Sequence, residues 1–282
     1  MRGKNGANAD AFASILTMQW RKNTHPKRVR ILTQLLKKGS LHKMKAIVLA
    51  AGKGKRLQSE KFNSPKVLRE AKGRALLSYG LGNISFIPQE DTVIVVGYKR
   101  EMVIEKTKGD YKFATQEEQL GTGHAVASAK EFFKDYDGSV LVLNGDMPML
   151  KRETYENMVK QHEKSGADCT FLTAISESEL AYGRIIRENG KIVDIVEQKD
   201  CTPEQAAIRE LNVGVYVFDS KALFENLSKL RNDNAQGEYY LTDVPKLFIA
   251  DGKKVDSYTI SDTCEIYGVN TVEDLDFCEK NL

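Results

Sequence analysis

Lys45-Ala46-Ile47-Val48-Leu49-Ala50-Ala51-Gly52-Lys53-Gly54-Lys55-Arg56 is an apolar run that turns directly into a glycine-rich, basic bend. The run 45–48 reads as a buried β-strand. A glycine-rich bend leaving a strand lets backbone N–H groups close around phosphate oxygens, and a helix or turn that follows adds favourable dipoles. Lys53, Arg56 and, a short interval on, Lys66 in Ser64-Pro65-Lys66-Val67-Leu68 supply charge to match a triphosphate. The residues describe a site that grips a nucleotide by its phosphates.

Two better-known phosphate loops do not fit. A P-loop ends in Gly-Lys-Ser/Thr, whereas Gly54-Lys55 is followed by Arg56. A dinucleotide fingerprint needs a third small residue where Leu57 stands, and an acidic residue about 20 positions further on. That region holds Ala71-Lys72-Gly73-Arg74 instead.

Outward from this bend, strands and helices alternate. The spacing predicts strands over 46–49, 92–96, 139–143, 169–173, 192–197 and 213–218, with a hairpin turn at Asn189-Gly190. It predicts helices over 75–83, 101–108, 123–133, 152–165, 221–230 and 241–250. A last helix begins at Thr271, which Asp274 caps reciprocally. The strands are β-branched and nearly free of polar residues, as expected when helices cover both faces. The fold class expected is α/β, a Rossmann-like, doubly wound, mostly parallel sheet. Such sheets bind ligands beyond the carboxyl ends of their strands.

The net charge of +3 over 282 residues hides an asymmetry. Residues 1–43 carry ten Lys and Arg against the single acid Asp10, which leaves 32 bases and 38 acids from Met44 onward. The expected division is therefore a basic extension, 1–43, and an α/β domain, 44–282. Three readings of the extension compete: a transit-type presequence, a nucleic-acid-binding arm, and a start codon placed too far upstream, with Met44 the natural beginning of an α/β domain. No apolar run nears the roughly 18 residues that span a bilayer, so no membrane association is expected. Cys169, Cys201, Cys264 and Cys278 form no C-x-x-C pair. That usage suits a reducing, cytoplasmic setting.

Other motifs fall at the predicted strand ends. Asp146 follows the run 139–144 and Gly145, which suits a Mg²⁺ ligand as well as an ordinary strand-to-helix turn. Gln116-Glu117-Glu118-Gln119-Leu120-Gly121-Thr122-Gly123-His124-Ala125 offers amides that read a base edge and glycines that allow backbone contact with it. His124 there suits packing or capping better than acid–base catalysis. Glu197 and Asn212, with neighbouring glycines, are residue types that hydrogen-bond sugar hydroxyls.

With these motifs in place, the chain from Met44 onward resembles the uridylyltransferase domain of the bacterial bifunctional N-acetylglucosamine-1-phosphate uridylyltransferases. More broadly it is similar to the sugar-nucleotide pyrophosphorylases. The stretches Glu118–Ala125 and Asn234–Asp243 are the most specific carriers of the likeness. The resemblance implies nucleotide contacts from Leu49, Ala50, Ala51, Gly52 and Lys66, with Gln116, Gly121 and Thr122 fixing the uracil. It implies catalytic roles for Arg56 and Lys66 on the triphosphate and transition state. Mg²⁺ would be held by Asp146 and Asn270, and the sugar phosphate by Gly183, Glu197 and Asn212. The implied partners are UTP and a sugar 1-phosphate, with no nucleic acid expected on the folded body; a homo-oligomer is compatible with the resemblance. The reaction implied is transfer of UMP from UTP to N-acetylglucosamine 1-phosphate.

Two departures stand out. Asn144 replaces an aromatic residue before Gly145-Asp146, and the hexapeptide repeat of the family's acetyltransferase domain is absent from this sequence. The chain is expected to be a free-standing uridylyltransferase or a truncated product. Competing readings are a uridylyltransferase for glucose 1-phosphate or another sugar phosphate and, from another class, a nucleotide-sensing binding module with a polyanion-binding arm.

Overall fold

Strand β1 (Lys45–Ala50) is apolar from Ala46 onward because neither face of that run meets bulk water. Ala46, Val48 and Ala50 enter one core cluster and Ile47 enters the other. The same alternation runs through β4 (Thr92–Val96) and β6 (Ser139–Asn144). A fully buried Val, Leu or Ile is worth about 1.5–3 kcal/mol, so these strands are held firmly from both sides. The computed structural model describes residues 44–57, 61–178 and 180–282; the reading of residues 1–43 lies outside them.

Among the described residues the main sheet runs β11 (Val255–Ile260), β7 (Cys169–Ile175), β10 (Glu210–Asp219), β6, β1, β4, β5 (Lys112–Thr115). Four of the six neighbour pairings on this path are parallel. The exception is β10, antiparallel to both β6 and β7. Its register shifts between Asn212 and Tyr216. From the start of β10 a hairpin of β8 (Gly183–Glu188) and β9 (Lys191–Val196) branches off. Asn189 and Gly190 join its strands with φ of 51° and 77°, the pair of positive angles a two-residue type I′ turn requires. The predicted turn is therefore present. A short ribbon, β2 (Glu70–Ala71) and β3 (Arg74–Ala75), stands apart from the sheet.

One face is covered by α1 (Leu76–Asn83), α2 (Arg100–Lys106) and α4 (Arg152–Ser165), through residues such as Leu77, Val103, Tyr155 and Met158. The other is covered by α3 (Thr122–Ala127), α6 (Ser220–Leu227) and α7 (Val244–Ala250), through Val126, Leu223 and Phe248. A single turn, α5 (Pro203–Ala206), precedes β10. The final helix α8 (Val272–Asn281) sits on a third cluster of Leu57, Ala71, Leu76, Val269, Leu275 and Cys278. Its Thr271–Asp274 capping box is formed, as the sequence suggested. All four cysteines are free.

The structure corrects some expectations. The helix expected over 241–250 starts as a 3₁₀ turn, Leu241–Asp243, before α7, and that over 123–133 divides into α3 and a 3₁₀ turn, Lys130–Phe133. Strands β5 and β11 lie at the two edges of the sheet and had no counterpart in the sequence reading. No described helix is long and apolar enough to cross a membrane.

From β1 the chain passes to β4 and β5 on one side, then returns to β6 on the other. The strand order thus reverses beside β1, and a crevice opens at such a switch point.

Candidate active site

The carboxyl ends of β1 and β6 place the glycine-rich bend beside Gly145 and Asp146. The Gly145 N–H donates to the Leu49 carbonyl at 2.9 Å, which binds the two strand ends together. Lys66 follows Pro65 in a 3₁₀ turn anchored by buried Val67 and Leu68. Its ammonium pairs with the Asp146 carboxylate and also donates to Asn270 Oδ1 at 2.8 Å. Arg56 donates to the same Oδ1 at 3.3 Å. Asn270 arrives from the far end of the chain. Its turn is fixed by the Val269 N–H on the Asp146 carbonyl (2.9 Å) and by its own N–H on Asp274 Oδ2 (2.9 Å).

These groups lie along a cleft of about 960 Å³. Leu49, Ala51, Gly52, Arg56, Lys66, Gln116, Gly121, Thr122, Asp146, Glu197 and Asn270, all singled out in the sequence, line it. Ala50, Gly183 and Asn212 are not among the lining residues. Ala50 is buried in the core. Gly183 pairs with Asn212 across β8 and β10, and the Asn212 amide is engaged by Tyr216 Oη (2.7 Å) and the Gly214 N–H (3.4 Å). The cleft includes Gln119 of the amide-rich stretch and adds residues to which the sequence reading gave no role, among them Asn144, Ala181, Lys199, Gln236 and Glu238. Gln236 and Glu238 belong to the 234–243 stretch, whose amide-rich turn was the available signal. Nothing in the sequence marked Ala181.

The 234–243 stretch reaches the cleft by docking on the 120–123 loop. Tyr239 N–H donates to the Leu120 carbonyl, Gly123 N–H to the Tyr239 carbonyl (both 2.8 Å), and Leu241 N–H to Thr122 Oγ1 (3.0 Å). Asn234 tightens the turn by accepting from the Gln236 and Glu238 N–H groups at 3.2 Å. Gly121 makes this docking feasible. Its φ of 110° and ψ of 174° are open only to glycine, and a Cβ there would sit 2.6 Å from the Tyr239 carbonyl oxygen.

The chain matches the nucleotidyl transferase family over residues 45–264. It belongs to that family. This nucleotidyl transferase is 45% identical over 226 residues to "Bifunctional protein GlmU" of Streptococcus thermophilus, covering 80% of this chain and 48% of that protein. The protein of the same name in Lactobacillus gasseri is 44% identical over 225 residues, covering 79% and 48%. The chain thus spans about half the length of the curated relatives it matches. Among solved structures, a UDP-glucose pyrophosphorylase complexed with UDP-glucose superposes with a TM-score of 0.67 at 18% identity, covering 84% of this chain and 97% of that one. This likeness shows the shared α/β fold.

Glu197, also on the cleft, directly follows β9 and accepts from Thr242 Oγ1 at 3.0 Å. Burial pushes its carboxyl above the usual carboxylate range; the Thr242 bond opposes this, and Asp243, Asp200 and Glu238 add to the rise. A carboxyl raised in this way supports folding below its unfolded value, near 4.5, and that support is lost as pH rises through the folded value. Glu197→Gln is therefore expected to lose less stability than the parent as pH climbs above about 4.5. Thermal melts across the acid-to-neutral range check this, and parallel curves for the two proteins would contradict it.

Proposed function

We propose that the chain catalyses transfer of UMP from UTP to N-acetylglucosamine 1-phosphate, giving UDP-N-acetylglucosamine and pyrophosphate. The observation that carries the reading is the convergence of Lys66, Arg56, Asp146 and Asn270 at one end of a single cleft. The amide-and-glycine wall of Gln116, Gly121 and Thr122, and the half-buried Glu197, line the same cleft. The GlmU relatives and the fold shared with a UDP-glucose pyrophosphorylase support a sugar-phosphate substrate and a uridine nucleotide.

The chemistry asks little of a general base. A sugar phosphate oxygen is already an anion near neutral pH. The protein's task is to align that oxygen with the α-phosphorus and to stabilise charge on the phosphoryl oxygens and the departing pyrophosphate. Lys66 and Arg56 face that region with fixed positive charge. The backbone of residues 51–54 offers close approach, since even a Cβ on Gly52 would meet nothing within 4 Å. Glu197, which lines the cleft where Gly183 and Asn212 do not, supplies the sugar side.

The donor set also suits Mg²⁺. The Lys66 ammonium already lies against both Asp146 and Asn270 Oδ1, so two hard oxygen donors converge on one cation-sized position. Among the described residues no group of three or more His, Cys, Asp or Glu gathers to hold a metal. Magnesium prefers such sparse sites, taking one or two carboxylates and completing its shell with phosphate oxygens and water. Asp146 and Asn270 would hold it, and it would neutralise phosphate charge.

Pyrophosphate release from UTP across a panel of sugar 1-phosphates, with Mg²⁺ present, tests the reading. N-acetylglucosamine 1-phosphate is expected to give the highest kcat/KM. A higher value for glucose 1-phosphate would replace the substrate assignment, and no turnover with any sugar would replace catalysis with nucleotide binding alone.

A further inference from the structure

Gln116 stands just beyond β5, with its N–H on the Val96 carbonyl at 2.8 Å and only 3% of its surface exposed. A primary amide has two N–H donors, and both are spent here. Nε2 donates to the Gly121 carbonyl at 3.0 Å and to His124 Nδ1 at 3.1 Å. The amide oxygen Oε1 receives no hydrogen bond from a described residue and is not sealed from solvent, and Gln116 lines the cleft. The side chain therefore presents an acceptor to whatever occupies the base end.

The Gly121 carbonyl, which can only accept, decides this orientation: a flipped amide would set its oxygen against that carbonyl's lone pairs. With the amide so placed, its second N–H faces His124 Nδ1, which accepts it in the tautomer that carries the proton on Nε2. His124 is itself held in α3, where its carbonyl accepts from both the N–H (3.1 Å) and the hydroxyl (3.0 Å) of Ser128.

We propose that His124 is a positioning residue for base selection: it fixes the Gln116 amide so that Oε1 accepts from the N3–H of uracil and meets the N3 lone pair of cytosine unfavourably. The inference rests on the reading of the cleft as a UTP site. It turns a histidine that suits packing into a determinant of which pyrimidine nucleotide is used. The Gly121 carbonyl alone leaves the amide partly oriented, so loss of His124 weakens selection without abolishing it.

The test compares kcat/KM for UTP and CTP, with one sugar phosphate, in the parent and in His124→Leu, His124→Ala and His124→Asn. Removing the acceptor in the Leu and Ala variants is expected to lower the UTP-over-CTP preference about 3- to 10-fold, the range that one hydrogen bond contributes. The His124→Asn variant keeps an acceptor near the position of Nδ1, so it is expected to retain most of the preference. Circular dichroism and Tm identify any variant that fails to fold, and either acceptor-free variant that folds decides the matter. Equal losses for UTP and CTP would assign His124 to packing alone and overturn the inference, as would an Asn variant no more selective than Leu or Ala. An unmodified chain that turns over neither nucleotide would instead remove the UTP reading on which the inference stands.

Discussion

Asp146→Asn is expected to lower kcat by at least about 10²–10³-fold, the loss typical of removing one electrostatic group at a transition state. The change preserves shape and hydrogen-bonding capacity. It removes the only carboxylate among the groups that meet the Lys66 ammonium in the described structure. That charge sets the electrostatics at the end of the cleft where phosphate would lie, and it is the charge that would hold a divalent cation there. Folding should be untouched, because Asp146 is joined to the turn before α8 through its backbone carbonyl and not its carboxylate. Asp137→Asn is the control. It alters an exposed carboxylate in the loop before the same strand, 2.9 Å from Lys221, and exposed pairs contribute little. Steady-state kinetics at saturating substrates and Mg²⁺, with Tm for both variants, separate catalysis from stability. Near-full activity in Asp146→Asn would remove the metal assignment and the phosphate end of the mechanism with it.

Gly121→Ala is expected to damage stability and activity together. The backbone angles at this position belong to a region that side chains essentially never enter, at a cost of about 1–3 kcal/mol. The added Cβ would also lie 2.6 Å and 2.8 Å from the Tyr239 oxygen and nitrogen, which are backbone atoms with no rotamer to yield. The 238–241 segment must therefore back away from Leu120–Gly123, and the Gly121 carbonyl that orients Gln116 shifts with it. In a body of this size 1 kcal/mol corresponds to about 2–4 °C, so a fall in Tm of about 5–10 °C is expected, with a larger KM for nucleotide. A melting curve and nucleotide saturation kinetics check both effects. An Ala variant with the parent's Tm would mean that the loop and the 234–243 stretch can part without cost.

Much of this arrangement was legible in the sequence, for identifiable reasons. β1, β4 and β6 read correctly because a strand buried on both faces is apolar along its central run, with polar residues only at its ends. The residues after them, from Leu49 to Arg56 and at Asp146, stood out because polar and glycine residues interrupt such runs abruptly. Direction was not legible. Side-chain alternation is the same whichever way a strand runs, so the reversed course of β10 left no mark in its composition. β5 was hidden by its brevity and the exposed Lys112, and β11 by the polar Asp256, Ser257 and Thr259 of an edge strand. Docking of Tyr239 on Leu120 and Gly123 joins backbone groups, which carry no residue signature. Only the run of glycines at 121 and 123 hinted that another chain segment comes close. The amide chemistry of Gln116 was visible, but its orientation was not, because that depends on the acceptors facing it.

The meeting of Lys66 with Asn270 spans 204 positions of sequence, and that of Arg56 with Asn270 spans 214. Synthesis proceeds from the amino end, and domains form as their residues become available. The glycine-rich bend and the 116–125 loop thus emerge from the ribosome well before residue 270 does. Until then Lys66 lacks one of its two oxygen partners, and the third hydrophobic cluster lacks Val269, Leu275 and Cys278. A nascent chain can hold most of the sheet and still have an open phosphate end. The proposed phosphate end is thus assembled only after residue 270 has been made, however early the sheet forms.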